Sequence, residues 1–159
     1  MRGAKDSSPG CTAVGLYAVH NVVYAAISYP AGILADRMNK WILLGIGYGC
    51  GAGTALLLAS NISSLPLLVL AFCLGGAYVG IEETLEDSLA AQLLPAHQRG
   101  TGFGTMAVVN GMGDFISSLT VGWLWAVYGP GAGFGFASGL MVFGAFLILQ
   151  MAKINHERN

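Results

Sequence analysis

The stretch Pro30-Ala-Gly32-Ile-Leu-Ala-Asp36-Arg37-Met-Asn-Lys40 separates two long apolar runs, and its reading decides the fold. No Lys, Arg, Asp or Glu occurs from about Cys11 to Leu34, and none from Trp41 to about Ala59. Crossing a bilayer takes about 20 predominantly apolar residues. Each run is therefore long enough to span a membrane, and the charged stretch is the loop between them. A loop this short makes the two spans antiparallel.

Working outward, three more apolar runs follow, from Leu67 to about Leu94, from Gly102 to Val127 and from Ala132 to Ala152. The expected organisation is a stub over 1–10, five spans at about 11–34, 41–59, 67–94, 102–127 and 132–152, and a tail over 153–159. The runs are too long for barrel strands and lack their alternation. In lipid the backbone must satisfy its own hydrogen bonds, which leaves the helix. The fold class expected is an all-α, multi-pass membrane helix bundle.

Composition agrees. The 159 residues are 55% hydrophobic and 9% charged, against about 25% charged in an ordinary soluble domain. The 24 glycines suit close packing of membrane helices. A net charge of -1 offers no basic patch, so no nucleic-acid partner is expected. Cys11, Cys50 and Cys73 have no metal-ligand spacing and read as small buried hydrophobes.

Orientation follows from the basic residues. Arg37, Lys40, Arg99, Lys153 and Arg158 fall on one side, and only Arg2 and Lys5, offset by Asp6, on the other. The first side should be cytoplasmic, with the C-terminus inside and the N-terminal stub outside. Arg2 and Lys5 precede a run that ends in Asp36-Arg37, not in a small-residue cleavage site, so no signal peptide is read. An odd number of spans with an external N-terminus suggests further helices upstream.

The loop itself, with Gly32, Asp36, Arg37 and Lys40, resembles the G-x-x-x-D-R-x-x-[RK] signature of the major facilitator superfamily. Gly32 would allow close helix packing. Asp36 would sit against the positive end of a helix, and Arg37 and Lys40 would hold the loop at the interface. A second segment, Leu94-Pro95-Ala-His-Gln-Arg99-Gly100-Thr-Gly102-Phe-Gly104, is similar to the family's loop leading into helix 11. Relatives often carry glycine where this chain has Asn39 and an acid where it has Gln92. In the family the signature follows the second of six helices in a half. Here it follows the first, so the spans resemble helices 8 to 12 of the C-terminal half. The resemblance implies a partial transporter fold, a missing N-terminal half as partner (from the same gene or a split one), a small-molecule substrate and residence in a plasma or inner membrane. It also implies that the second and fifth spans are peripheral and face lipid, while the first, third and fourth line a central cavity.

Charge at bilayer depth is costly and marks candidate function. The third span holds Glu82, Glu83, Glu86 and Asp87 on one side. From Leu67, Glu82 lies roughly 22 Å into a core about 30 Å thick. Asp114 lies mid-way along the fourth span, with Asn110 one turn earlier. His20, Tyr24 and Ser28 recur every four residues on the first span. Protonation or pairing with a cation relieves the cost of burying a carboxylate. Asp114, Glu83 and Glu82 are therefore the candidate proton or substrate groups, with Asn110, His20 and Tyr24 beside them. Glu86 and Asp87 are expected to form interfacial ion pairs with Arg99 and the signature loop.

Gly45, Gly47, Gly49, Gly51 and Gly53 alternate along the second span, with Gly49 and Gly53 read as a G-x-x-x-G packing pair. They form no phosphate loop, since no strand precedes them and no Gly-Lys-Ser/Thr follows. No cofactor or metal is expected, nor an enzyme, because no nucleophile with a base accompanies the acids. The expectation is a secondary transporter, proton-coupled, that moves a small solute by alternating access. The direction expected is efflux. The alternative is a membrane scaffold or partner subunit that keeps the fold without transporting.

Overall fold

The computed structural model describes residues 9–60 and 64–157. Arg2, Lys5, Asp6 and most of the expected stub, the loop at Asn61, and Arg158 with Asn159 lie outside the described residues.

The described residues form five long helices: α1 (Pro9–Arg37), α2 (Lys40–Ala59), α3 (Leu65–Leu93), α4 (Arg99–Tyr128) and α5 (Pro130–Glu157). Among the described residues there is no strand. The breaks follow local chemistry. Asn39 caps α2, its side-chain oxygen accepting the Trp41 N–H at 3.0 Å. Pro66 stands in the first turn of α3, where its missing N–H costs nothing. Pro95 ends the α3 segment, and one 3-10 turn, Ala96–Gln98, leads into α4. Gly129, at φ 88°, makes the turn between α4 and α5, a backbone shape that favours glycine. The helices outrun the expected spans at most ends. α5 continues through Glu157, so the tail expected from Lys153 is helical to that residue.

Four of the helices are long and apolar enough to cross a membrane, over Gly10–Arg37, Lys40–Ala59, Leu65–Gln92 and Pro130–Lys153. α4 has the length at 30 residues, but Asn110, Asp114, Ser117, Ser118 and Thr120 lower its mean hydropathy.

The helices pack in the order α1, α3, α2, α5, α4. α1 runs parallel to α3, with His20 against Gly75 and Ser28 against Gly80. α2 runs antiparallel to both neighbours. On α3, Gly47 meets Ile81 and Gly51 meets Tyr78; on α5, Gly45 meets Leu149, and the Ser138 hydroxyl donates to the Ala52 carbonyl at 3.1 Å. α4 packs on α5 through Val121 and Gly133, and through Trp125 and Phe134. It barely touches α3.

Two expectations change here. α2 is not peripheral within this chain: of the four apolar helices it has the largest buried share, because its alternating glycines admit α3 on one side and α5 on the other. Nor do Gly49 and Gly53 form the packing pair. A methyl group at Gly49 would meet nothing within 4 Å, whereas at Gly47 and Gly51 it would fall 2.9 Å from Ile81 Cγ2 and 2.8 Å from Met141 Sδ. The close pair is one dipeptide earlier.

The tightest core gathers Ala31, Ala35, Leu43, Leu44, Ile81 and Leu85 where α1, α2 and α3 meet beside the charged loop. Elsewhere large apolar side chains such as Phe115, Ile116, Phe143 and Phe146 point outward. That pattern suits a chain whose solvent is lipid.

Candidate functional site: an acid-lined cavity between α3 and α4

The thin contact between α3 and α4 leaves a cavity of about 440 Å³, lined by Glu82, Glu83 and Glu86 of α3, Asn110 and Asp114 of α4, and Tyr48 of α2. The helical period puts the three glutamates on the side of α3 opposite Ile81 and Leu85, which are buried in the core. α4 contributes its polar residues because Asn110 and Asp114 lie one turn apart on one face.

Two hydrogen bonds tie this wall to its neighbours. Tyr24 of α1 donates from its hydroxyl to Glu83 Oε2 at 2.7 Å. Asn110 donates from Nδ2 to Glu86 Oε2 at 3.0 Å, bridging the gap to α4. Beside this space lies a second cavity of about 310 Å³, where Asp87 joins Glu83 and Glu86, and Phe103 and Met106 of α4 close the other side.

The structure thus brings together Asp114, Glu82, Glu83 and Asn110, and reaches Tyr24 through Glu83. His20 stands apart, half-buried at the α1–α3 crossing, with its ring stacked on Tyr17 at 6.3 Å between centroids. The carboxylates can accept protons or hydrogen bonds, and can face a cation. Among the described residues no group of three or more His, Cys, Asp and Glu is placed to hold a metal ion.

At the charged loop, Asp36 and Arg37 are exposed. Lys40 donates from Nζ to Ser88 Oγ of α3 at 2.6 Å, tying the start of α2 to the end of α3. Arg99 donates to the Ala91 carbonyl at 3.3 Å. The hydrogen bonds of Lys40, Arg99 and Glu86 therefore run to Ser88, Ala91 and Asn110, not to one another, because Arg99 folds back over the end of its own α3–α4 connection. Gly32 has room: an added methyl group would meet Thr84 Cγ2 at 3.7 Å, ordinary contact. The tight approach expected there occurs at Gly76 and Gly80 instead.

Sequence reasoning passed over Tyr48 and Tyr78. Their rings meet edge to face at 5.7 Å, and Tyr48 forms part of the cavity wall. The usable signal was Gly51, which lets the Tyr78 ring lie against α2.

The family model described as Major Facilitator Superfamily matches residues 10–158. An uncharacterised MFS-type transporter from Methanocaldococcus jannaschii is 30% identical over 136 residues, which is 86% of this chain and 34% of the relative. The chain therefore spans about a third of the length of that relative. No solved structure matches the chain. The family is one of transporters rather than enzymes, and with four helices apolar enough to cross a bilayer the protein is integral to a membrane and multi-pass. The chain belongs to the Major Facilitator Superfamily.

Proposed function

We propose that the chain supplies five membrane-spanning helices, equivalent to helices 8 to 12, of a secondary transporter that moves a small solute by alternating access and couples that movement to protons. α4 is the fifth span on this reading. The observation that carries it is the cavity lined by Glu82, Glu83, Glu86 and Asp114 between helices of a membrane protein. A carboxylate facing hydrocarbon costs about 2.5–3.5 kcal/mol or more. One facing a cavity can instead be neutralised by a proton or a cation, and released as access changes sides.

The open side of the cavity belongs, on this proposal, to the N-terminal half and the helix equivalent to helix 7. No residue of α4 is buried within this chain, and Asp114 and Asn110 require protein or water, not lipid, in front of them. The signature loop, with Asp36, Arg37 and Lys40, gates the cytoplasmic side and places the C-terminus in the cytoplasm. The hydrogen bond from Lys40 to Ser88 supports a role in holding α2 against α3.

The test uses the intact protein in proteoliposomes that trap a pH-sensitive dye. Small organic cations are added outside, and solute-driven proton movement is read. The wild type should respond to at least one cation, and Asp114→Asn and Glu83→Gln should each reduce the response at least about tenfold, the effect of losing a group worth 1.4 kcal/mol or more to the transport barrier. Responses in both variants equal to that of the wild type would sink the proposal.

A further inference from the structure

We infer that Tyr24 is a positioning residue for Glu83, and that Gly76 and Gly80 of α3 set its reach by letting α1 lie directly on the α3 backbone. The inference rests on the proposed reading of Glu83 as a proton-carrying carboxylate. It adds a device that the sequence pattern did not contain.

The geometry starts at the glycines. A methyl group at Gly76 would collide with the His20 carbonyl oxygen and come within 3.2 Å of the Tyr24 nitrogen. At Gly80 it would lie 2.9 Å from the Tyr24 carbonyl oxygen and 3.3 Å from Ser28 Oγ. Both obstacles are backbone or short side chain, so neither can swing away. The two helices approach this closely only because α3 has no side chains there. Ser28 adds a second restraint by donating from Oγ to the Tyr24 carbonyl at 2.8 Å.

Tyr24 is therefore fixed at its root, on a backbone pressed against Gly80, one turn before Thr84 and beside Glu83. From that root its hydroxyl reaches Glu83 Oε2 at 2.7 Å. Other ionisable groups surround Glu83: Glu82, Glu86 and Asp87 flank it on α3, and Asp114 faces the cavity from α4 and Tyr48 from α2, while His20 of α1 lies further along the helix crossing, against Gly75. The hydroxyl of Tyr24 orients one oxygen of Glu83 and supplies it a donor, as the amide of Asn110 does for Glu86. Widening the helix crossing would withdraw that donor without touching Glu83.

The experiment titrates the intact protein in lipid by infrared spectroscopy, following protonated-carboxyl bands against pH with no ligand present. A band seen in wild type and missing in Glu83→Gln reports Glu83. In Tyr24→Phe, which keeps the ring, the midpoint of that band should be displaced by about one pH unit, the size expected when one hydrogen bond to a charged group is lost. Gly80→Ala should displace it in the same sense. Gly53→Ala, whose methyl group would meet Leu74 Cδ1 at an ordinary 3.5 Å, should leave it at the wild-type value. A Tyr24→Phe midpoint equal to that of wild type overturns the inference and leaves the role of Glu83 standing. If no band disappears in Glu83→Gln, the proton-carrying role of Glu83 fails first and the inference with it. Should Gly80→Ala not fold, Tyr24→Phe decides alone.

Discussion

Leu85 is the best enclosed side chain among the described residues, with 0% of its surface exposed. It sits one residue from Glu86, on the same helix and facing the other way. The two show how one turn of α3 serves both packing and site. Leu85→Ala would leave a void where α1, α2 and α3 meet, and should cost about 2–5 kcal/mol of unfolding free energy. Phe146→Ala, at 56% exposed, should change stability by no more than about 0.5 kcal/mol. Unfolding of the purified protein in detergent by heat or denaturant checks both; equal losses would mean that the core is elsewhere. At this scale the sequence was legible where charge is the signal. Glu82, Glu83 and Asp114 were placed by depth and period, and they share one cavity. What it could not supply was pairing. Nothing in the spacing of Tyr24 and Glu83, 59 positions apart, says that they touch, because that contact depends on the register of α1 along α3.

The helices themselves were the most legible feature, since long apolar runs bounded by charge, proline and glycine leave few alternatives in lipid. Their neighbours were less so. The resemblance put α2 at the periphery, facing lipid, and its lack of charge agreed, yet Gly45, Gly47 and Gly51 make it the best packed of the apolar helices. A run without charged residues suits lipid and a glycine-lined interior equally well, and only the contact partners Leu149, Ile81 and Tyr78 distinguish them. α4 was read as a span that lines the cavity: its polar residues take it below the apolarity of the other four helices, and Asn110 and Asp114 are what it brings to the cavity. The proposed orientation makes a prediction for these elements. His97→Cys lies in the exposed turn before α4 and Ser60→Cys at the end of α2, at opposite ends of the bundle. A membrane-impermeant thiol reagent added to intact cells, with the three native cysteines replaced, should label Ser60→Cys and spare His97→Cys until the membrane is opened. The reverse pattern would invert the topology.

For the whole molecule, the five helices form one sheltered side and one unfinished one. α1, α3, α2 and α5 share the buried residues, while α4 leans out beside a cavity rich in carboxylates. Such a cavity has a use only if a wall beyond α4 closes it and if its charge can be relieved in turn from each side of the membrane. On the proposed account other helices supply that wall, consistent with a chain that spans about a third of its relative's length, and protons supply the relief. The most direct measurement is accumulation of a transported cation by proteoliposomes of the intact protein under an imposed pH gradient, before and after a protonophore is added. The account predicts accumulation against the cation's own gradient that collapses when the pH gradient is discharged. Accumulation that persists undiminished after the protonophore would contradict it.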